Sequence, residues 1–376
     1  MDFELSEEQT MLKDSLDRFV RENYEPAKRR ALVDSNLGYS KENWALFAEM
    51  GWLGLPFSED SGGFGGSPVE TSVLMESFGA GLVLEPYLST VLLCGKLIEA
   101  AGSETQRSEI LPAVIGGEML LALALSEPRS RFNLANVETV AASSTDGFVI
   151  TGRKTVVSHA ASADKLIVSC RTSGAAQDQS GISLFLVDQN VSGLSRKDYR
   201  TLDGQRASDL ELAGVTVGED ALLGELGGGH AVLEAVIDQA TCAICAEAVG
   251  AMQAVNEITM EYVKTRQQFG APIGSNQVIK HRIADMHIAA EQSKSMADMA
   301  AMRVDGPPEE RRLVTSAAKS KVGEAARFVG EQGIQLHGGI GMTDEYVIGH
   351  YYKRLMSIDT VFGNVDFHLR RYSEMT

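Results

Sequence analysis

The chain has 376 residues, 44% of them hydrophobic, and a formal net charge of -17. This length suffices for roughly two or three domains with a large core, and the negative charge disfavours binding to nucleic acids or anionic membranes, whose phosphates would repel it. No apolar run approaches the roughly 20 residues that span a bilayer. The acidic N-terminus lacks signal-peptide character and the cysteines number only four, so we expect a cytoplasmic protein.

Residues 1–117 are predicted to be helical. Ser6 and Gln9 have the spacing of a capping box at the start of the first helix. Three further helices are predicted at 44–52, 69–81 and 86–101 from their apolar residues. The glycine-rich stretch from Ser61 to Pro68 is interpreted as a loop between packed helices, because it has neither the dinucleotide fingerprint nor the P-loop spacing.

From about residue 118 the pattern changes to short β-branched runs separated by turn residues, which is typical of antiparallel strands. The predicted strands lie at 119–125, 137–142, 147–152, 155–157, 165–169, 182–187 and 209–217. Residues 118–225 are therefore predicted to form a β domain inserted between two helical parts.

Residues 226–376 are predicted to be helical again. One long helix should run from Gly229 to Phe269, where Gly270 and Pro272 end it. Further helices are predicted at 277–302, 311–334 and 350–369, with a glycine-rich turn at 335–343. The fold class predicted from this order is mainly α with an inserted β domain.

The long helix carries a lone carboxylate, Glu247, on a largely apolar face. That face recurs at steps of three and four residues and is formed by Val232, Val236, Ala240, Ala243, Glu247 and Gly250. A buried carboxylate must find a partner or resist ionisation, and a carboxylate with a raised pKa is suited to proton abstraction near neutral pH. The alternative is a partly exposed glutamate on an ordinary helix.

Cys242 and Cys245 form a CxxC within the same helix, with no second cysteine pair or histidine nearby in the sequence. We interpret them as small buried apolar residues rather than as a zinc or redox site. No metal is therefore expected.

The order of helices, strands and helices, together with three motifs, resembles the acyl-CoA dehydrogenase family over the whole chain. The motifs are Ser126-Glu-Pro128, Arg266-Gln-Gln-Phe-Gly270 and Gln335-Leu-His-Gly-Gly-Ile-Gly341. Within the family, the chain resembles the small subunit of pimeloyl-CoA-type and steroid side-chain acyl-CoA dehydrogenases, a branch that includes heteromeric enzymes. The resemblance implies an N-terminal helical domain (1–117), a middle antiparallel β domain (118–225), a C-terminal four-helix bundle (226–376), and assembly as a homo- or hetero-oligomer, either a dimer or a tetramer.

The resemblance also implies FAD as the cofactor. Ser126 and the segment from Val156 to Ser158 are expected to contact the flavin ring, and Val156 stands where the family often has an aromatic residue. The residues expected to hold the pyrophosphate and adenosine across a subunit interface are Arg266, Phe269 and Gln277, and those expected to approach the same cofactor are Gln335, Gly338 and Gly339. From the residues alone, Arg266 would instead be interpreted as a cation favoured by the C-terminal dipole of its helix.

The reaction implied by the resemblance is the α,β-dehydrogenation of an acyl-CoA thioester to the 2,3-enoyl-CoA, with electrons passed to an electron-transfer flavoprotein. In relatives a carboxylate takes the α-proton, and this carboxylate stands at one of two positions in the sequence. In this chain the two positions are occupied by Phe362 and Ala240, neither of which can accept a proton. Glu247, two helical turns beyond Ala240 and about 10 Å along the axis, is expected to be the base instead. Asp238 matches a position that contacts the pantetheine arm of CoA, while Thr241 stands where an arginine is usual.

The missing bases leave two alternatives open, namely a non-catalytic subunit that completes the FAD site of a partner, and a family flavoenzyme with altered chemistry, such as a desulfinase or a monooxygenase.

Overall fold

The structure is a computed structural model that describes residues 5–376. The chain divides into two compact units, each built from separate stretches of sequence. The helical unit comprises the described residues up to Ala31, Ser67–Val83 and Thr241–Thr376, and the sheet unit comprises Leu32–Gly66 and Leu84–Ala240. The order of elements confirms the expected fold class, whereas the two boundaries between the three predicted domains, after residues 117 and 225, stay a prediction.

Eleven α-helices lie within residues 5–376. They are α1 (Glu7–Asn23), α2 (Pro26–Asp34), α3 (Lys41–Glu49), α4 (Pro68–Gly81), α5 (Lys96–Ala101), α6 (Glu104–Ile115), α7 (Gly229–Thr265), α8 (Gln277–Arg303), α9 (Pro308–His337), α10 (Ile348–Thr360) and α11 (Val365–Ser373). A π-helix, Leu88–Gly95, leads directly into α5. None of the helices in this part of the chain combines the length and the apolar character needed to cross a membrane.

The capping box predicted at the first helix is present. The Ser6 hydroxyl accepts a hydrogen bond from the Gln9 backbone N–H at 3.1 Å, and the Gln9 side chain accepts one from the Ser6 N–H at 3.0 Å. Two N–H groups that the first turn leaves unpaired are thus satisfied, which explains why α1 begins where the sequence predicts.

The sheet unit contains an eight-stranded sheet. Its strands are β1 (Leu121–Ala124), β2 (Val140–Ser144), β3 (Gly147–Ser158), β4 (Lys165–Arg171), β5 (Ile182–Asp188), β6 (Leu194–Arg200), β7 (Arg206–Val217) and β8 (Leu222–Leu223). The order is β6-β7-β3-β2-β4-β5-β8, with β1 paired to β4. Most pairs are antiparallel, as predicted, but β1 runs parallel to β4 and one bridge joins β2 to β4 in parallel.

Several strands differ from the sequence prediction, and β8 is among those that were not expected. The predicted strands at 147–152 and 155–157 are one strand, β3, which bends at a bulge. Strand β6 was not predicted, because its residues are largely exposed and charged and show no apolar alternation. A short polar strand at the edge of a sheet resists pairing with other chains.

Helices α4 and α7 cross at unusually close range in the helical unit. An ideal Cβ added to Gly250 would lie 1.8 Å from the Glu76 carbonyl oxygen, and one added to Gly79 would lie 1.8 Å from the Glu247 carbonyl oxygen. Since only glycine leaves room for such contacts, this reciprocal pair fixes the position of Glu247 along the crossing.

The predicted last helix, 350–369, is in fact two helices that are separated by a turn at 361–364. Phe362 takes a left-handed φ of 59° in this turn, and Asn364 caps α11 by accepting a hydrogen bond from the Phe367 N–H at 3.0 Å. The buried ammonium of Lys319 on α9 donates to the carbonyl oxygens of Asp359 at 3.0 Å and Gly363 at 2.6 Å. The end of α10 is therefore held from the neighbouring helix α9.

Candidate active site

In the sheet unit, the two segments expected to contact the flavin are joined by a backbone hydrogen bond. The Thr155 N–H donates to the Ser126 carbonyl oxygen at 2.8 Å, although Ser126 follows β1 and Thr155 lies in β3. The pairing of β3 with β7 shifts register between Lys154 and Val157. Thr155 and Val156 therefore leave the regular ladder at the point where they meet Ser126.

Val156 is held in a strained and exposed conformation at this bulge. Its φ is 53° and its side chain is 57% exposed, while its N–H donates to the Asp209 carboxylate at 3.1 Å. A β-branched residue with positive φ is a genuine outlier, and such strain persists where surrounding contacts impose it, often at a ligand site. The bulge thus presents an apolar surface on which a flat ring can pack.

The Asp209 carboxylate organises the bulge from β7. The oxygen that accepts from Val156 also accepts from the Tyr199 hydroxyl at 3.0 Å. Burial and this hydrogen bond to Asp209 raise the pKa of Tyr199 to about 12, so the phenol stays protonated as a donor. Ser158, the last residue of β3, is exposed beyond the bulge.

In the helical unit, Arg266 and Phe269 belong to a hairpin rather than to the long helix. Helix α7 ends at Thr265, and Gln267–Gln268 (β9) pairs with Ala271–Pro272 (β10). The two turn residues have positive φ, 54° for Phe269 and 79° for Gly270, as a tight two-residue hairpin turn requires. The predicted helix end at Phe269 is wrong by four residues because this turn begins earlier.

The hairpin presents its functional groups to solvent. Phe269 is 104% exposed, which is an unfavourable state for an aromatic ring unless another molecule covers it. The Arg266 guanidinium is exposed and takes part in no ion pair with any residue between 5 and 376. Gln277, the first residue of α8, is also exposed.

The glycine-rich turn after α9 is open to close approach. Gln335 is exposed on the last helical turn, and a Cβ added to Gly338 or to Gly339 would meet no atom within 4 Å. His337, which lies between Gln335 and Gly338 in the sequence, is buried and stacks on Tyr262 of α7, with 4.4 Å between the ring centroids. This contact joins the end of α7 to the end of α9 within the helical unit.

Glu247 is buried and paired with Arg354 of α10. Its side chain is 5% exposed and that of Arg354 is 9% exposed. Arg354 donates from Nε to Oε1 at 2.6 Å and from Nη2 to Oε2 at 2.8 Å. Such a two-bond contact is the strongest form of arginine–carboxylate pairing. Of the two outcomes expected for a buried carboxylate, the structure shows the paired one.

Neither of the two positions at which the resemblance places the base, Ala240 and Phe362, carries a carboxylate. Ala240 and Asp238 of α7 are each 1% exposed, and Asp238 is the position expected to contact CoA. Phe362 is half-buried in its strained turn, where the His368 ring nitrogen Nε2 lies 3.3 Å from its carbonyl oxygen. Cys242 and Cys245 are buried, and neither of them forms a disulfide.

The residues present fit FAD. A dinucleotide needs a cation for its pyrophosphate, donors and open backbone for its polar edges, and an apolar surface for its flavin ring. Arg266 is an exposed cation, Gln277 and Gln335 are exposed amides, and the open glycines Gly338 and Gly339 leave room for close approach. In the sheet unit, the Val156 side chain is apolar and exposed.

The chain is similar to known proteins over nearly its whole length. Profiles of the N-terminal, middle and C-terminal domains of acyl-CoA dehydrogenase match residues 6–118, 122–215 and 227–374. A mitochondrial isovaleryl-CoA dehydrogenase from Oryza sativa subsp. japonica is 31% identical over 91% of this chain and 84% of its own.

Two solved structures extend the likeness to the fold. The Tcur3481-Tcur3483 steroid ACAD is 29% identical with a TM-score of 0.87, covering 98% of this chain and 97% of its own. The ChsE4-ChsE5 complex from Mycobacterium tuberculosis is 25% identical with a TM-score of 0.90, covering 100% of this chain and 98% of its own. The chain therefore belongs to the acyl-CoA dehydrogenase family of FAD-containing oxidoreductases, which confirms the resemblance, the fold class and the cofactor expected from its sequence.

Proposed function

We propose that this chain acts in the FAD-dependent α,β-dehydrogenation of an acyl-CoA thioester to the 2,3-enoyl-CoA, with electrons passed to an electron-transfer flavoprotein. The observation that carries the proposal is the strained, exposed Val156 bulge, tied through Thr155 to Ser126. When bound, FAD supplies the two-electron acceptor. The protein contributes the surface that orients the ring and the groups that hold the rest of the cofactor.

The cofactor residues divide by unit. In the sheet unit, Ser126, Val156 and Ser158 contact the flavin ring. In the helical unit, the cofactor residues are Arg266, Phe269, Gln277, Gln335, Gly338 and Gly339. The strained turn at Phe269 supports this assignment, because a bare aromatic ring held at positive φ is expected where another molecule covers it.

Glu247 is the candidate base within this proposal, and it accepts the α-proton of the thioester. The sequence offers no carboxylate at Phe362 or Ala240. Arg354 orients the Glu247 carboxylate, but it also engages both carboxylate oxygens. Proton transfer then requires that one oxygen turn its second lone pair to the substrate, within hydrogen-bond reach.

A second candidate function is that of a non-catalytic subunit which completes the FAD site of a partner chain. The bidentate Glu247–Arg354 contact favours it, because a carboxylate fully engaged with a guanidinium is explained by structure alone. The names of two similar proteins, Tcur3481-Tcur3483 and ChsE4-ChsE5, each give two components. The exposed Arg266 and Phe269 are suited to such a shared site.

The substrate class follows from the same residues. Phe362 and Ala240 stand where relatives carry carboxylates, so the pocket is reshaped and favours a bulky or dicarboxylic acyl group. The similarity to a protein described as a steroid ACAD supports the bulky alternative. Asp238 contacts the pantetheine arm of CoA in this proposal, and the protein acts in the cytoplasm.

Anaerobic reduction of the bound flavin tests the proposal. The purified chain, alone and together with a candidate partner subunit, is mixed with a panel of acyl-CoA esters while the flavin absorbance is followed. We expect bleaching with at least one ester, loss of bleaching in Glu247→Gln, and no effect of Glu261→Gln, which changes an exposed carboxylate on the same helix.

The outcomes separate the candidates. Retained bleaching in folded Glu247→Gln removes Glu247 as the base. A colourless chain that turns yellow and active only with its partner, and whose Glu247→Gln variant keeps that activity in the complex, supports the non-catalytic subunit. Analysis of the products distinguishes an enoyl-CoA from the products of a desulfinase or a monooxygenase.

A further inference from the structure

A buried ion pair lies directly behind the flavin-facing bulge of the sheet unit. Lys154 and Glu127 are joined at 2.7 Å, and their side chains are 0% and 3% exposed. Each stands next to a segment expected to contact the flavin, since Glu127 follows Ser126 and Lys154 precedes Thr155 and Val156. Neither residue is assigned a role by the proposed function.

The three donors of the Lys154 ammonium are all satisfied. They reach Oε1 of Glu127 at 2.7 Å, Oγ of Ser169 at 3.0 Å and the carbonyl oxygen of Leu125 at 3.3 Å. An ammonium has three donors, so these contacts fix its position completely. Lys154 thereby holds the backbone on the N-terminal side of Ser126.

The Glu127 carboxylate is fixed just as fully. It accepts from the Glu138 N–H at 2.7 Å and from the Thr139 N–H at 3.1 Å, besides the bond from Lys154. Burial raises the pKa of this carboxyl, but the charge of Lys154, together with the hydrogen bonds from Lys154, Glu138 and Thr139, outweighs burial and holds the pKa below its usual value. Burial also lowers the pKa of Lys154, and Glu127 opposes that change.

Removing two charges from water is costly, and an apolar pair of similar volume often stabilises a fold as well or better. A buried pair is therefore better explained by the geometry that it imposes than by stability. Here that geometry is the distance between Ser126 and the Val156 bulge. Two contacts fix this distance, namely the Lys154–Glu127 ion pair and the Thr155–Ser126 backbone hydrogen bond.

We infer that Glu127 and Lys154 are positioning residues, which hold Ser126 and the Val156 bulge in the relative register that the flavin ring requires. The inference rests on the proposed function, because it assumes that both segments contact FAD. Ion pairs elsewhere in the sheet lack this burial, since Lys165 and Asp188 are 31% and 69% exposed.

The test measures FAD directly rather than turnover. Lys154→Met and Glu127→Gln are compared with the parent and with the matched control Lys165→Met, using the dissociation constant for FAD, the shape of the visible flavin spectrum and the flavin reduction potential. We expect Lys154→Met and Glu127→Gln to weaken FAD binding at least tenfold and to shift both the spectrum and the potential, while Lys165→Met matches the parent.

A double variant keeps the test decisive if a single variant fails to fold. Glu127→Met with Lys154→Met replaces the pair by apolar side chains, which often preserves or raises stability. A folded double variant with the altered spectrum and weakened FAD binding supports the inference. A folded double variant, or a folded single variant, with the parent's FAD affinity, spectrum and potential overturns it.

The inference and the proposed function fail in different ways. If the parent chain, alone or with a partner subunit, binds no FAD, the proposed function falls and this inference falls with it. If the parent binds FAD and the variants bind it equally well, only the positioning role is refuted.

Discussion

Removing the carboxylate of Glu247 should destabilise the helical unit by about 3–5 kcal/mol, because the buried Arg354 guanidinium loses the carboxylate that balances its charge. The magnitude follows from the geometry. Two charged hydrogen bonds of 2.6 and 2.8 Å join side chains that are only 5% and 9% exposed. Arg354→Met should cost a similar amount, since it strands the carboxylate instead.

Replacing both partners should cost far less than the sum of the single changes. In Glu247→Met with Arg354→Met no buried charge is left unpaired, and apolar replacements of buried pairs are often neutral. We therefore expect a coupling energy of about 2 kcal/mol or more between the two sites, which is within the range for residues in direct contact.

Urea unfolding, followed by far-ultraviolet circular dichroism at fixed protein and FAD concentrations, measures these differences. Fixed concentrations matter because cofactor binding and assembly shift the apparent stability. The matched control is Lys353→Met, which breaks an exposed pair with Asp344 whose side chains are 33% and 83% exposed, and should cost less than about 1 kcal/mol. Additive single effects, or a Glu247→Gln variant as stable as the parent, would refute the structural importance of the pair.

Three further predictions rest on single positions. Gly250→Ala should strongly destabilise the chain or prevent its folding, because the added carbon would lie 1.8 Å from the Glu76 carbonyl oxygen; thermal unfolding measures this. Burial lowers the pKa of His368 from 6.5 to about 3. Between these pH values the unfolded chain binds a proton that the folded chain does not, so the free energy of unfolding should fall as the pH drops from about 6.5 towards 3. His368→Gln should flatten this pH dependence in urea titrations. Val156→Gly should relieve about 1–2 kcal/mol of backbone strain, yet weaken FAD binding, and calorimetry with and without FAD checks both effects.

The sequence predicted those elements whose signals are local. The capping box at Ser6, the start of α8 at Gln277 and most strands appear as expected, because caps, periodicity and turn residues act over a few neighbouring positions. Strand β6 escaped prediction because its exposed charged residues carry no alternation, and its pairing with β7 depends on the rest of the sheet.

The contacts that define the site are mostly not local. Arg354 lies 107 positions from Glu247, and Lys154 lies 27 positions from Glu127, so no spacing rule joins them. The sequence predicts that a buried Glu247 either finds a partner or resists ionisation, but it does not identify Arg354 as that partner. The break between α10 and α11 was signalled by Gly363 and Asn364, a turn residue followed by a helix cap, and could have been predicted.

The middle of α7 has a consequence for how this protein tolerates change. Every residue from 241 to 252 is buried, so this stretch has no face on which a substitution meets only water. A saturation library across the chain should find it among the least permissive windows, with small apolar replacements surviving and any added charge lost. Variation that alters the substrate range should therefore accumulate elsewhere, on loops and turns whose side chains can change without repacking the interior.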